Sequence, residues 1–373
     1  KERKEMKVKF NRAALSEALA LVTMVVPSRT TKPILQSLKI SAQKDGVYIS
    51  ATDFEIGLVS LIAQAQVDDV GEAVIPADRF AAIVRESIDE VLELESTEGT
   101  CHIRGADSLF TVYGHQPDQY PVVPGFEGEA QLEADLIKLQ EAVEHCLFAT
   151  AKENTRYALS GVLWEAIGKK LTIVGTDGRR LAKYKLSLHA EVDKRLEAEK
   201  IIVPAKTMAL LDRVSGTDKD KVAVRFVDNK IILACGSTVI SSNLVEGNFP
   251  KYEDIIPTDY KNKLQLNTAA SLSAVRRAAL LTNEDSKGIK LALDKKSVVF
   301  TCRAPEMGDS EIAMEVDYKG EPMEIGFNPQ FLIDVLKVIR EDSFELHLGQ
   351  SDRPGLIKSG SNYVYIVMPV SLT

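Results

Sequence analysis

The sequence has few of the residues that most often build metal and thiol sites. Its 373 residues include four cysteines and five histidines. The cysteines form no C-x-x-C pair, and the histidines are scattered along the chain. A zinc site needs such ligands at short spacing. We therefore expect reduced thiols, no metal centre and no other cofactor.

Long apolar runs are also missing. No stretch of about 18 apolar residues occurs, so we expect no transmembrane helix. The stretch KERKEMKVKF at the start is charged and lacks the apolar core of a secretory signal. Together with unpaired cysteines, these features favour a cytoplasmic protein.

Common nucleotide and hydrolase motifs are absent from the sequence. It contains no G-x-x-x-x-G-K-[ST], no G-x-G-x-x-G after a strand and no G-x-S-x-G. The remaining catalytic candidates are Asp53 and Asp177, each in a Thr-Asp turn. Because they occupy equivalent places in different repeats, we expect them to lie farther apart than the ~5–10 Å of paired-carboxylate chemistry. Asp177 precedes a glycine between two alternating strands, which favours a structural hairpin turn. An enzyme built on these turns is the weaker alternative.

The strongest positive signal is a threefold internal repeat. The segments EAVIPADRFAAIVRES, EKIIVPAKTMALLDRV and PMEIGFNPQFLIDVLKVI each predict a strand, a proline turn and an amphipathic helix. GVYISATDFEIGLVSL and KLTIVGTDGRRLAKYK each predict two strands around a Thr-Asp turn. The period is about 125 residues. We predict three domains, at residues 1–127, 128–255 and 256–373.

Each domain divides further into two half-units of strand, helix and three strands. NRAALSEALALVTMVV predicts the first helix, with Asn11 as its N-cap, and IGLVSLIAQA predicts one strand after it. Asn328 followed by Pro329 predicts another helix start. The expected fold class is α+β, with six helices packed on antiparallel sheets.

The net charge of −8 argues against a nucleic-acid partner when it is taken as a sum. Its distribution is uneven, because the six predicted helices and their adjoining loops are net positive while the rest is strongly negative. Exposed helix faces that simply carry lysine and arginine would explain this. Alternatively, the helices form one basic surface inside a ring, which would hold a polyanion through its phosphates without reading its sequence.

Seven motifs in order carry a resemblance to a known family: KPILQSLKI, ATDFEIGLV, TRYALSGVLWE, GTDGRRLA, LVEGNFPKYEDIIP, MEIGFNPQFLIDVL and VYIVMPVSL. Together they resemble the bacterial DNA sliding clamps, the beta subunits of DNA polymerase III, over nearly the whole chain from Met6. The resemblance implies the DNA clamp fold and a head-to-tail homodimeric ring of six domains around duplex DNA. It implies a non-catalytic processivity factor that tethers the replicative polymerase, is opened by an ATP-dependent clamp loader, and is cytoplasmic and nucleoid-associated during replication.

The resemblance also implies functional residues by position. A cleft between domains two and three would bind short peptides of polymerases and repair proteins, through Leu159, Thr176, Gly178, Arg179, Arg180, Leu181, Pro250, Ile255, Asn328, Phe331, Val367, Met368, Pro369, Val370 and Leu372. The implied DNA contacts are Arg29, Lys152, Arg156, Tyr157, Lys206, Arg276 and Arg277. The implied subunit contacts are Phe110, Leu280 and Leu281. The acidic stretch from Glu306 to Glu315 is expected to face basic residues such as Arg79 and Arg104.

Four positions differ from the pattern usual in the family. They are Arg179, Asp254, Ala158 and Ser286, and they bear on which peptides the cleft prefers. No membrane partner is implied. The alternative to a clamp is a scaffold of the same fold that binds proteins without encircling DNA.

Overall fold

The computed structural model describes residues 6–152, 157–197, 199–257, 260–282, 288–304 and 307–371. Within these ranges the chain forms six α-helices and 25 β-strands. A strand, a helix and three strands recur six times, which confirms the predicted half-units. One strand, β5 (Ala65–Asp69), is additional. None of these six helices is long and apolar enough to span a bilayer.

The first three half-units run from β1 to β13. The first comprises β1 (Met6–Asn11), α1 (Arg12–Val22), β2 (Ser37–Gln43), β3 (Gly46–Thr52) and β4 (Ile56–Ile62). The second comprises β6 (Gly71–Pro76), α2 (Ala77–Glu86), β7 (Val91–Thr97), β8 (Thr100–Arg104) and β9 (Leu109–Tyr113). The third comprises β10 (Leu132–Asp135), α3 (Leu136–Leu147), β11 (Gly161–Ile167), β12 (Lys170–Thr176) and β13 (Arg180–Ser187).

The last three half-units run from β14 to β25. The fourth comprises β14 (Ile201–Pro204), α4 (Ala205–Leu211), β15 (Lys221–Val227), β16 (Lys230–Cys235) and β17 (Thr238–Asn243). The fifth comprises β18 (Asn262–Asn267), α5 (Thr268–Ala278), β19 (Ile289–Asp294), β20 (Ser297–Ala304) and β21 (Gly308–Glu315). The sixth comprises β22 (Met323–Phe327), α6 (Pro329–Val338), β23 (Ser343–Leu348), β24 (Gly355–Ser359) and β25 (Tyr363–Val367).

Asparagine caps start three of the helices. The side-chain oxygen of Asn11 accepts a hydrogen bond from the Ala14 amide at 3.1 Å. Asn267 and Asn328 cap α5 and α6 in the same way, each through an amide at 2.9 Å. Since the first amides of a helix have no partner within it, these caps fix where the helices begin. The predicted caps Asn11 and Asn328 are confirmed.

Two predicted elements are shorter in the structure than in the sequence analysis. Helix α1 ends at Val22 instead of continuing through TMVV, because the next amides bond three residues back, Met24 to Leu21 at 3.2 Å and Val25 to Val22 at 3.1 Å. The stretch IGLVSLIAQA forms β4 as far as Ile62, and a new strand, β5, begins only at its last residue, Ala65, because Gln64 has a φ of 54°. A positive φ breaks an extended strand.

The chain forms two compact units by internal contacts. Unit 1 comprises the residues up to Ile137 together with Lys206–Leu244. Its five-stranded sheet has the order β5-β1-β7-β8-β9, and its eight-stranded sheet has the order β10-β15-β16-β17-β4-β3-β2-β6. The second sheet joins strands of the first, second, third and fourth half-units through the pair β4–β17.

Unit 2 comprises Lys138–Ala205 and the residues from Val245. Its eight-stranded sheet has the order β14-β11-β12-β13-β25-β24-β23-β18, and its four-stranded sheet has the order β21-β20-β19-β22. The pair β13–β25 joins the third and sixth half-units. Every strand pair in both units is antiparallel, as the sequence predicted.

A glycine lets α3 approach β12 closely in unit 2. A Cβ at Gly175 would lie 2.2 Å from the carbonyl oxygen of Cys146 near the end of α3. The Cys146 thiol donates to the Ile173 carbonyl at 3.3 Å, and the Tyr363 hydroxyl donates to the His145 carbonyl at 3.0 Å. These contacts fix the end of α3 on the sheet, next to the turn that follows β12.

We predict that Gly175→Ala lowers the melting temperature by about 2–12 °C. The added Cβ must push the end of α3 off the sheet, and overpacking of this kind costs about 1–3 kcal/mol. In a unit of this size, each kcal/mol lowers the melting temperature by roughly 2–4 °C. Differential scanning calorimetry measures the change. Gly125→Ala is the matched control, because no heavy atom lies within 4 Å of its Cβ position. Equal melting temperatures for the two variants would contradict the close approach.

Candidate functional site

The Thr-Asp turn between β12 and β13 is held by its own side chains. The Thr176 hydroxyl donates to the Arg180 carbonyl at 2.6 Å and accepts from the Gly178 amide at 3.1 Å. One Asp177 carboxylate oxygen accepts from the amides of Arg179 and Arg180, at 2.9 and 3.1 Å. Gly178 has a φ of 87°, a conformation that favours glycine. The carboxylate at this position therefore closes a turn, as the sequence indicated.

Arg180 is a buried cation with three acceptors. Its side chain is 6% exposed, and its Nε donates to the other oxygen of Asp177 at 2.9 Å. Its two terminal nitrogens donate to Asp334 of α6 and to the carbonyl of Phe148 just after α3, each at 2.7 Å. The guanidinium also lies over the ring of Phe331, 4.5 Å from its centroid.

The electrostatics of Arg180 follow from these partners. Burial lowers its pKa, but the hydrogen bond to Asp334 and the charge of Asp177 outweigh burial, so that the pKa is raised. Removing Arg180 would leave the carboxylates of Asp177 and Asp334 without their shared cation, which is costly. Arg180 therefore ties β13, α6 and the end of α3 together, and its donors are occupied within the fold.

The C-terminal segment lies beside this turn. In the pair β13–β25, Arg180 is opposite Val367 and Leu181 is opposite Ile366. The Met368 amide then donates to the Arg179 carbonyl at 2.9 Å, and the Val370 amide donates to the Gly326 carbonyl at 2.9 Å. The segment after β25 thus runs from the turn toward the start of α6, where Asn328 and Phe331 lie.

An apolar cluster forms the base of this region, which we call the cleft floor. Its buried members are Leu159, Leu163, Val174, Leu181, Ile202, Phe249, Tyr252 and Ile366. Around it lie exposed residues that we call the cleft rim: Arg179, Pro250, Ile255 and Met368. Ile255 is 42% and Met368 38% exposed, and both line a cavity of about 570 Å³ that also contains Asp254. An apolar base with partly exposed apolar edges is typical of peptide-binding surfaces.

Tyr252 anchors one wall of the rim. Its hydroxyl donates to Glu165 of β11, and its ring lies 4.8 Å below the Lys183 ammonium. Lys200 contacts the same Glu165 at 3.3 Å. Burial first and then Glu165 raise the pKa of Tyr252, so the phenol stays protonated as a donor. These contacts hold the short helical turn Tyr252–Ile255 against the sheet.

The structure therefore brings most predicted cleft residues into one region of unit 2. Thr176 and Arg180 are buried and support the turn, while Val367 is fully buried in β25. Pro369 and Val370 are half-buried beside the start of α6. Leu372 lies outside the described residues, as does Ser286. Sequence reasoning missed Asp334 and Phe148, since a lone carboxylate on a helix and a backbone carbonyl give no sequence signal.

The residues predicted to contact DNA differ in whether their positive charge is exposed to solvent or paired with a carboxylate. Arg29 and Lys152 are exposed in loops, and Arg276 and Arg277 are exposed on α5. Lys206 is different, because its ammonium lies 2.6 Å from the carboxylate of Asp53. Its charge is thus partly neutralised in unit 1. Arg156 and the side chain of Tyr157 lie outside the described residues.

The predicted subunit contacts lie at sheet edges. Phe110 is 41% exposed on β9, the last strand of the five-stranded sheet. Leu280 is 75% exposed in the helical turn Ala279–Leu281 that follows α5, and Leu281 is half-buried beside it. That turn packs against β21, the last strand of the four-stranded sheet.

Known proteins resemble the chain along nearly its full length. Three family models match this chain in succession. The model of the DNA polymerase III beta subunit N-terminal domain matches residues 6–124, that of the central domain matches residues 132–251, and that of the C-terminal domain matches residues 253–371. The beta sliding clamp of Chlamydia trachomatis is 30% identical over 372 residues, 99% of this chain and 88% of its own. That of Caulobacter vibrioides is 30% identical over 374 residues, 98% of this chain and 100% of its own.

Solved structures agree with these sequence matches. The DNA polymerase sliding clamp from Bacillus subtilis has a TM-score of 0.92 at 27% identity, covering 99% of this chain and 100% of its own. A sliding clamp from Pseudomonas aeruginosa bound to griselimycin has a TM-score of 0.89 at 29% identity, covering 98% and 100%. Since three family domains match in succession and the fold agrees over the same length, the chain belongs to the DNA polymerase III beta subunit family of sliding clamps.

Proposed function

We propose that the chain is a DNA polymerase processivity factor that closes into a homodimeric ring around duplex DNA. The observation that carries this proposal is the pairing of third strands between half-units. The third strand of the first half-unit, β4, pairs with that of the fourth, β17. The third strand of the third half-unit, β13, pairs with that of the sixth, β25. Each odd half-unit therefore pairs with the one three places later.

The same rule predicts the contact between subunits. The fifth half-unit ends in β21. Three half-units further on lies beyond the end of the chain, and in a ring of two copies this position is the second half-unit of the other copy, which ends in β9. Both strands are edges of their sheets within one chain. Edge strands have unpaired backbone groups that pair readily with another chain. A β21–β9 contact is head to tail, and two copies close it into a ring of six domains.

The side chains at these edges favour such a contact. On β9, Leu109 is 55%, Phe110 41% and Tyr113 79% exposed, and exposed apolar groups this close together mark interaction surfaces. Strand β21 carries Asp309, Glu311 and Glu315, while Arg79 and Arg104 are exposed in unit 1. Opposite charges of this kind orient the partners more than they stabilise them.

The remaining parts of the proposal follow the family. Three clamp domains, with boundaries after residues 127 and 255, contribute helices to the inside of the ring. Arg29, Lys152, Arg276 and Arg277 contact DNA phosphates without sequence preference. A separate ATP-dependent loader opens the ring, the chain itself is not an enzyme, and it acts in the cytoplasm at the nucleoid.

The cleft of unit 2 is the proposed docking site for partner peptides. Replicative polymerase, clamp loader and repair proteins insert a short segment over the cleft floor, between the rim residues Ile255 and Met368. A methionine on the rim can adapt to different partners. We expect griselimycin, which the Pseudomonas aeruginosa clamp carries in its crystal structure, to bind in the same cleft.

Retention on circular DNA tests the function directly. Protein loaded onto a nicked circular plasmid by its clamp loader and ATP should remain bound, and cutting the circle should release at least about 90% of it, because phosphate contacts alone are weak at physiological salt. Gel filtration of the DNA measures the bound protein. Equal retention on circular and linear DNA would contradict a topological link. Failure to remain on circles despite ring formation would favour the scaffold alternative.

Phe110→Asp should convert dimers to monomers. The aspartate would be buried in an apolar contact, so we expect the dimer dissociation constant to rise about 100-fold or more. Sedimentation velocity at micromolar concentration measures it. The control is Val122→Asp, since Val122 is 92% exposed and lies outside the sheet edges. A Phe110→Asp variant that stays dimeric would rule out β9 as the interface.

Met368→Ala should weaken griselimycin binding about 5- to 20-fold, because the exposed part of the methionine would no longer cover the ligand. Isothermal titration calorimetry measures the affinity. Ile167→Ala removes a similarly apolar side chain, 64% exposed on β11, and should leave the affinity unchanged. Unchanged binding to Met368→Ala, with full binding to the wild type, would place the ligand elsewhere.

A further inference from the structure

A second cavity in unit 2 is surrounded by lysines. It has a volume of about 630 Å³ and lies on the sheet face that also carries Leu181 and Ile366. We call it the lysine pocket after Lys183, Lys185, Lys263 and Lys358, which line it from β13, β18 and β24. None of the predicted DNA or cleft residues lines it.

Lys185, Lys263 and Lys358 line the pocket without an ion pair to any described residue, whereas the Lys183 ammonium lies 4.8 Å from the centroid of the Tyr252 ring. Among the described residues, none of these lysines has a carboxylate within ion-pair distance. The nearby carboxylate of Glu345 is bound to His347 at 2.7 Å. Burial first and then Lys185 lower the pKa of Lys183, which is consistent with positive charge crowded at this face. Glu165 and Glu253 partly offset the charge of Lys183. Glu345 is opposite Lys358 in the sheet. Four lysines around one cavity still attract an anion.

Sheet register sets the spacing of the lysines. Lys183 and Lys358 are both opposite Val364, on either side of β25. They are therefore two strand spacings apart, about 10 Å between Cα atoms. On the other side of β24, Leu356 is opposite His347 of β23, and His347 is opposite Lys263 of β18. Lys263 therefore lies two strands from β24. A peptide in the extended polyproline II conformation presents every third side chain on the same side, about 9 Å apart, which is close to the spacing of Lys183 and Lys358.

The rest of the lining favours a peptide over a nucleic acid. Ile256, Pro257, Leu356 and Val364 give the pocket an apolar floor between the lysines. Single-stranded nucleic acid is normally bound on exposed aromatic faces. Here the Tyr260 ring packs edge to face on His347, at 5.4 Å, and is not free for stacking. The Ser361 hydroxyl donates to the side-chain oxygen of Asn362 at 3.0 Å, so this edge of the pocket is polar.

We propose that the lysine pocket binds an extended acidic segment of a partner protein, with carboxylates on the lysines and an apolar side chain on the floor between them. Pro257 and Tyr260 line both this pocket and the cavity that contains Ile255 and Met368. A partner anchored in the cleft can therefore continue into the lysine pocket, a step that rests on the proposed function. The pocket thereby adds selection for partners with acidic residues beside their clamp-binding peptide.

The test uses a fluorescein-labelled peptide of four Asp-Leu-Gly repeats, and a matched peptide with asparagine in place of aspartate. Fluorescence anisotropy with the full-length protein at low salt should show at least about tenfold tighter binding of the aspartate peptide. Lys358→Glu and Lys263→Glu should each weaken it about 5- to 10-fold, by losing an attraction and adding a repulsion. Lys170→Glu should change it less than about twofold, because Lys170 is an exposed lysine on the same sheet that does not line the pocket.

Three results would overturn the proposal. The first is equal binding of the two peptides, or equal effects of Lys358→Glu and Lys170→Glu. The second is displacement of the peptide by a twelve-nucleotide thymidine oligomer at lower concentration than unlabelled peptide. The third is the same displacement by tripolyphosphate, which would indicate a small-anion site. Griselimycin binding should be unchanged in Lys358→Glu, so that failure of the lysine pocket is distinguishable from failure of the cleft.

Discussion

Backbone pairing of the third strand in each half-unit is the constraint on which the rest of the structure depends. A half-unit of four strands leaves an edge, and an exposed edge must be paired, covered or made unattractive. In this chain, β4 pairs with β17 and β13 pairs with β25, so four of the six third strands are paired with another half-unit. The two that stay open, β9 and β21, are the ones that a head-to-tail second copy would close. In the proposed ring, pairing of third strands would therefore serve both to join the domains of one chain and to join the two chains.

The cleft depends on a departure from the repeat. The Thr-Asp turn of unit 1 has the same hydrogen bonds, with Thr52 donating to the Ile56 carbonyl at 2.9 Å and Asp53 accepting from the Ile56 amide at 2.7 Å. Its residues Phe54, Glu55 and Ile56 replace Gly178, Arg179 and Arg180. Arg180 joins the turn to α6 through its ion pairs with Asp177 and Asp334, so these pairs would preorganise the proposed peptide cleft.

Local features of both fold and site were predictable, and distant pairings were not. The half-units and the Asn11 and Asn328 caps follow from apolar periodicity and side-chain chemistry within a few residues. Ser60 and Thr238 lie 178 residues apart, yet their hydroxyls meet at 3.0 Å across β4 and β17. The partners of Arg180 are similarly distant, since Asp334 is 154 positions away. No local pattern encodes which strand edge or which carboxylate will be the neighbour, because that choice is made by the packing of whole half-units.

Weak DNA contacts are consistent with this architecture. Each lysine or arginine that neutralises a phosphate releases a counterion and adds to affinity, so many free cations inside a ring would slow its movement. The pairing of Lys206 with Asp53 partly removes one such charge from unit 1, and the chain as a whole carries a net charge of −8. A closed ring needs no strong attraction to stay on DNA, because leaving requires an interface to open. In the proposed ring, retention would depend on the β9 and β21 edges, and the remaining cations would guide the duplex without holding it in place.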